Sequence, residues 1–225
     1  MDNGSSYRIY VRIINLKIAF VSDTHGFEGS LDIPECDVLV HAGDVCSGFG
    51  ELMSIQNIAY WFEQLKSKGT VKEIILVPGN HDTNFLSKPE MSKALLKRGC
   101  HFLQNEGVEI DGVKFYGTMF LDIVRNDSFL NLEEVIDGRI EFYDNMPECD
   151  VLITHQPPDI PHMSTTVDGF NLGCPFLKIA VEKLAPKIHS FGHVHNGAGQ
   201  QQIGPTLFIN AANGYENHPI PVIDI

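Results

Sequence analysis

The chain is 225 residues long, 43% hydrophobic, and carries a formal net charge of -13. That length suffices for one domain with a sizeable core, but the charge disfavours long nucleic acid as a partner, because phosphate neutralisation needs clustered Lys and Arg. The five cysteines, Cys36, Cys46, Cys100, Cys149 and Cys174, include no CxxC pair, so neither a zinc ribbon nor a disulfide framework is expected, and a reducing, cytoplasmic setting is.

Residues 1–12 read as a polar leader. Arg8, Arg12 and Lys17 interrupt the apolar character of the N-terminal stretch, and no small-residue cleavage site follows, so a signal peptide is not expected. No apolar stretch reaches membrane-spanning length, and a membrane is not an expected partner.

Short apolar runs follow along the chain: Leu16 to Val21, Val38 to Val40, Ile74 to Val77, Val113 to Tyr116, Val151 to Ile153, His189 to Phe191 and Leu207 to Ile209. Each ends near Gly, Pro, Asp or Asn, the signature of buried strands running into turns. Between them, Leu52, Ile55, Ala59, Phe62 and Leu65 repeat at helical steps and predict a helix that stops at Gly69. Further helices are expected from about Pro89 to Lys97 and from Pro175 to Leu184, with Pro at the first position of each. Asp111-Gly112 between two apolar runs is a hairpin signal, so the sheet is mixed. The expected fold class is α/β: a single domain over residues 1–225, built as a layered α/β/β/α-type mixed-sheet sandwich with helices on the outer faces.

The strand ends carry the chemistry. Asp23-Thr24-His25 follows the first run, Asp44 the second, Asn80-His81-Asp82 the third, His155 the fifth, and His193 and His195 the sixth. In an open α/β sheet, ligands bind outside the carboxyl ends of the strands, so these loops should converge. Their carboxylates, imidazoles and amide are too many for one structural zinc and contain no thiolate. Two divalent ions are implied, with manganese first and iron, zinc and nickel as alternatives. Paired ions clamp a phosphoryl group and lower the pKa of bound water.

The motifs SDTHG at 22–26, GD at 43–44, GNHD at 79–82, THQPP at 154–158 and GHVH at 192–195 resemble those of the calcineurin-like metallophosphoesterases, in that family's order. The C-terminal stretch, with LGCPFL, IHSFGHVHNGAG and LFINAA, is further similar to the small subgroup related to the mammalian brain metallophosphodiesterases. The resemblance implies that Asp23, His25 and His195 hold one metal, Asn80, His155 and His193 the other, and Asp44 bridges them. It implies that Asn80 and His81 face the substrate phosphate, that His81 protonates the leaving oxygen beside a metal-activated hydroxide, and that Asp82 assists it. The implied activity is hydrolysis of small soluble or nucleotide phosphoesters, phosphodiesters in particular. A non-catalytic metal-binding scaffold and a protein phosphatase are the alternatives.

Two departures stand out. The segment GDVCSGFG lacks the charged residue that many relatives place after Gly-Asp, so the positioning of His81 is expected to be weaker or differently supported. The stretch 118–141 is short where larger relatives carry insertions, which implies an open site. His41 reads as a buried strand residue bonded to main chain, and His101, His162, His189 and His218 receive the same structural reading.

Overall fold

The computed structural model describes residues 15–47, 52–83, 85, 89–97, 99–119, 132–214 and 218–225. Its elements in chain order are β1 (Lys17–Val21), β2 (Cys36–His41), α1 (Leu52–Ser67), β3 (Val71–Leu76), α2 (Pro89–Leu96), β4 (His101–Phe102), β5 (Glu106–Ile110), β6 (Val113–Thr118), α3 (Leu132–Asp144), β7 (Val151–Thr154), α4 (Pro161–Ser164), α5 (Pro175–Leu184), β8 (Ile188–Phe191), β9 (Gly199–Ile203), β10 (Thr206–Asn210) and β11 (Val222–Asp224). The leader 1–12 and residues 120–131 of the short stretch lie outside the described residues.

Two mixed sheets result. One has the order β11-β1-β2-β3-β4, the other β5-β6-β7-β8-β10-β9. In the first, β1 to β4 run parallel and β11 lies antiparallel on β1. In the second, β6, β7, β8 and β10 are parallel, with β5 and β9 as antiparallel edges. Side-chain alternation along each strand feeds two cores at once. Ile18, Phe20, Val40 and Ile75 meet Phe115, Val151, Ile153 and Ile209 between the sheets. Val21, Leu39, Ile74 and Leu76 turn the other way, onto Ile55, Ile58 and Phe62 of α1. Leu152, Phe191 and Phe208 of the second sheet meet Leu177 and Val181 of α5 and Tyr143 of α3.

Burial on both faces explains why the parallel strands read as continuous apolar runs. It also fixes register: a one-residue slip would exchange the two cores, each large side chain being worth about 1.5–3 kcal/mol of burial. The four layers are those expected.

Five elements were not foreseen. Strands β4, β9 and β11 lie at sheet edges and are short or polar, as in GQQQI of β9, so no apolar run marks them. The thirteen residues of α3, LEEVIDGRIEFYD, contain an internal Gly and many acids, which weakens the helical pattern. The single turn α4 is too short to carry a periodicity.

Candidate metal centre

At their carboxyl ends the parallel strands run into turns of unusual backbone. Asp23 has φ 57°, His25 φ 47°, Asp44 φ 55° and His193 φ 71°. Left-handed backbone at Asp or His costs on the order of 1–3 kcal/mol per residue, and it persists only where surrounding bonds over-determine it. Here the loops after β1 and β2 are laced together: the N–H of Asp23 donates to the carbonyl of Gly43 at 2.9 Å, that of His25 to Asp44 at 3.0 Å, and that of Gly26 to Val45 at 3.0 Å. Close approach also dictates two glycines. A Cβ on Gly79 would lie 2.2 Å from Oδ1 of Asp44, and one on Gly192 would lie 2.2 Å from Oδ2 of Asp23.

The loops bring the ligand types into two groups. Asp23, His25 and His195 form one, Asp44, His155 and His193 the other, with ligand atoms in each group within 4.8 Å of one another. In the first, Nε2 of His195 is 3.3 Å from Oδ1 of Asp23 and 3.3 Å from Nε2 of His25. In the second, Nε2 of His155 is 3.2 Å from Oδ2 of Asp44 and 3.1 Å from Oδ1 of Asn80. Asn80 therefore joins the second group, and all seven residues expected from the motifs as ligands lie together.

Main-chain carbonyls orient the imidazoles. His155 donates Nδ1–H to the carbonyl of Ala42 at 2.8 Å, and His25 donates Nδ1–H to that of Cys46 at 3.2 Å. Each bond turns the Nε2 lone pair inward, as a metal ligand requires. The segment after Gly43-Asp44 thus supplies a carbonyl to His25, not to His81.

The charges of the two groups are strongly coupled. Burial would raise the carboxyl of Asp23, but His155 and His195 overcome it and hold the group well below the usual carboxylate range. Burial likewise opposes ionisation of Asp44, and His155 reverses the balance. At His155 burial would lower the pKa, yet Asp44 and Asp23 raise it to about 9. His193 is pushed down to about 4, by burial and then by His155. A set of inward lone pairs that draws positive charge, made of nitrogen and carboxylate donors without thiolate, fits two divalent cations.

His81 stands outside both groups. Its side chain is 45% exposed, and its Nε2 is 4.0 Å from Oδ2 of Asp44. The ring packs edge-on against His25, with centroids 4.9 Å apart and planes at 83°. Its main-chain N–H donates to Oδ1 of Asp44 at 2.7 Å.

Asp82 does not assist His81 as expected. Its buried carboxylate is turned to the main chain: Oδ2 accepts from the N–H groups of Gly79 at 2.8 Å, Asp44 at 2.8 Å and Val45 at 3.4 Å, and Oδ1 accepts from Cys46 at 2.8 Å. Oriented amides in the interior are the stronger claim on a buried carboxylate, because leaving them unpaired would cost about 1–3 kcal/mol each. Burial and the neighbouring Asp44 nevertheless raise its pKa to about 6. Asp82 clamps the Asp44 loop to the Gly79 turn, and local sequence carries no sign of it.

Two more buried histidines border the loops. His41 and His189 are pushed down to about 3 by burial and so are uncharged. Among the described residues neither bonds to main chain as expected for them; Nε2 of His41 faces the hydroxyl of Thr24 and Nε2 of His189 that of Thr154, both at 3.0 Å.

Comparison with known proteins places this arrangement. A family model described as calcineurin-like phosphoesterase matches residues 16–197. The chain is 32% identical to UPF0046 protein K07C11.7 of Caenorhabditis elegans over 211 residues, covering 88% of this chain and 69% of the relative. It is 30% identical to metallophosphoesterase domain-containing protein 1 of Homo sapiens over 238 residues, covering 91% of this chain and 69% of that protein. Among solved structures, TT1561 of Thermus thermophilus shares the fold with a TM-score of 0.54 at 13% identity, covering 87% of this chain and 88% of that one. Another solved chain reaches a TM-score of 0.63 at 16% identity, with 94% and 95% covered. Among the described residues no helix is long and apolar enough to cross a membrane.

Proposed function

We propose that this chain, which belongs to the calcineurin-like phosphoesterase family and is thus a metal-dependent phosphoesterase, hydrolyses small soluble or nucleotide phosphoesters, phosphodiesters above all, with His81 as general acid. The observation that carries this reading is the place of His81: beside both ligand groups, in neither, and open to solvent on one side. Asp23, His25 and His195 would hold one divalent ion and Asn80, His155 and His193 the other, with Asp44 shared between them. When bound, such a pair activates water and stabilises charge on phosphoryl oxygens.

The chain's own side chains supply the remainder. Asp44 accepts with Oδ1 from the main-chain N–H of His81, and its carboxylate would help to hold the ions. Its hydrogen bond fixes where the His81 side chain departs from the main chain. Nε2 of His81, 4.0 Å from Oδ2 of Asp44 on a half-exposed side chain, is the group positioned to give a proton to a departing alkoxide oxygen. Asn80 and His81 together would face the phosphate. Manganese suits the donor set first, with iron, zinc and nickel as alternatives. The net charge of -13 favours small esters over polyanions, and we take the whole chain, 1–225, as one catalytic domain acting in the cytoplasm.

Metal analysis of purified protein, followed by mono-, di- and cyclic nucleotide phosphates with added Mn2+, tests this. Two ions per chain and faster turnover of diesters than of monoesters are expected. Two bound ions with no turnover of any ester would identify a scaffold and overturn the proposal.

A further inference from the structure

We propose that His41 and His189 are positioning residues for the two metal groups, one each: every imidazole donates Nε2–H to the hydroxyl of a threonine that directly precedes a ligand histidine. Thr24, bonded to His41, precedes His25; Thr154, bonded to His189, precedes His155. The two pairs lie in different sheets. His41 ends β2 beside Val21 of β1 in parallel register, and His189 lies in β8 beside Leu152 of β7. The same device thus occurs twice, at the strand ends that feed opposite groups.

The direction of the bonds follows from the other atoms. The hydroxyl of Thr154 lies 2.7 Å from the carbonyl of Gln156, to which it can only donate, so it must accept from His189. Nδ1 of both His41 and His189 is buried without a hydrogen-bond partner among the described residues. A buried lone pair there costs less than a buried N–H, so the proton belongs on Nε2 in both rings. The ring contacts of His41 with Trp61 and of His189 with Phe191 and Phe208 would be open to a phenylalanine, which carries no unpartnered nitrogen, so packing alone gives no reason for histidine.

The first of these bonds holds a strained turn. Thr24 lies between Asp23 and His25, both left-handed, and its hydroxyl anchors that turn together with the hydroxyl of Ser22, which donates to the carbonyls of Ala42 and Gly43. Thr154 closes the turn that carries His155. Each imidazole therefore fixes the direction from which one ligand histidine enters the site, and loss of such outer support costs about 10–100-fold in metal affinity.

The proposal rests on the metal reading of the two groups and not on the substrate. Mn2+ affinity is measured by titration calorimetry on two backgrounds that each keep one group, His193→Ala and His195→Ala, with thermal unfolding of the metal-free proteins as the check on folding. On the His193→Ala background, which keeps the Asp23 group, His41→Leu should weaken Mn2+ binding about tenfold or more and His189→Leu should leave it unchanged. On the His195→Ala background the two substitutions should exchange effects. His41→Gln and His189→Gln retain an N–H at a similar reach and should restore affinity. Thr24→Val removes the bond from His41 at constant volume and decides the matter where His41→Leu fails to fold; Thr154→Val would remove the bond from His189 together with that to the carbonyl of Gln156, so at this group His189→Met serves instead. Equal losses at both groups, or unchanged affinity in the Leu, Val and Met variants, overturns the pairing. Wild-type protein that binds no Mn2+, Fe2+ or Zn2+ overturns instead the metal reading beneath it.

Discussion

The main-chain N–H of His81 donates to Oδ1 of Asp44 at 2.7 Å, while Oδ2 of the same carboxylate faces Nε2 of His155 at 3.2 Å. One side chain thereby ties the residue proposed as proton donor to the group proposed to hold a metal. Because the bond to His81 uses its backbone, the imidazole itself remains available for chemistry.

His81→Ala should keep both metals and lose about 10²–10⁴-fold in turnover, the usual worth of general acid catalysis. The loss should be larger for esters with poor leaving groups than for nitrophenyl esters, whose departing oxygen needs no proton. Metal analysis and paired substrates check this; unchanged turnover, or loss of metal, would contradict the assignment.

Asp44→Asn should empty at least one site, since the amide offers no negative charge to two ions and its NH2 would point at other donors. Elemental analysis after dialysis reads the stoichiometry. Full occupancy would rule out a shared ligand.

Asp82→Ala leaves the amides of Gly79, Asp44 and Cys46 without their acceptor, at about 1–3 kcal/mol for each buried donor that water fails to reach. Unfolding in urea should show a loss of several kcal/mol, and the released Asp44 loop should bind Mn2+ more weakly. Asp82→Asn keeps one carbonyl oxygen and should fall between the two. An alanine variant as stable as the parent would remove the clamp from this account.

The pH dependence of stability carries the mark of His189. Its pKa falls from an ordinary 6.5 to about 3 in the fold, so below pH 6.5 the unfolded chain takes up a proton that the folded one refuses. Stability is therefore complete above pH 6.5 and declines as pH falls toward 3, by up to about 1.4 kcal/mol per pH unit for this one group. Urea unfolding of metal-free protein between pH 7.5 and 5 should show a shallower decline for His189→Gln. Identical slopes would mean that the imidazole titrates alike in the folded and unfolded states.

Legibility in the sequence followed the range of the interaction. Apolar runs and the turns after them are local, so the parallel strands, the hairpin at Asp111-Gly112 and the helix with Ile55 and Phe62 are readable directly. The residues proposed as ligands are readable for the same reason: each occupies the first few positions after a buried strand, where parallel topology leaves only one edge for them to share. Edge strands β9 and β11 escape because half of each faces water, and the Gly-containing, acidic α3 escapes because its pattern is weak.

By itself the sequence determined which residue types stand at which strand ends, and thus the family and the donor set. Only the tertiary structure decided their partners. Asp82 is adjacent to His81 in the chain yet bonds the amides of residues 44–46, and His41 and His189 reach threonines 17 and 35 residues away. A carboxylate or an imidazole has several satisfactory partners, and the one it takes is whichever unpaired group the packed strands bring within 3 Å of it, as with Asp82 and the amide of Asp44 at 2.8 Å.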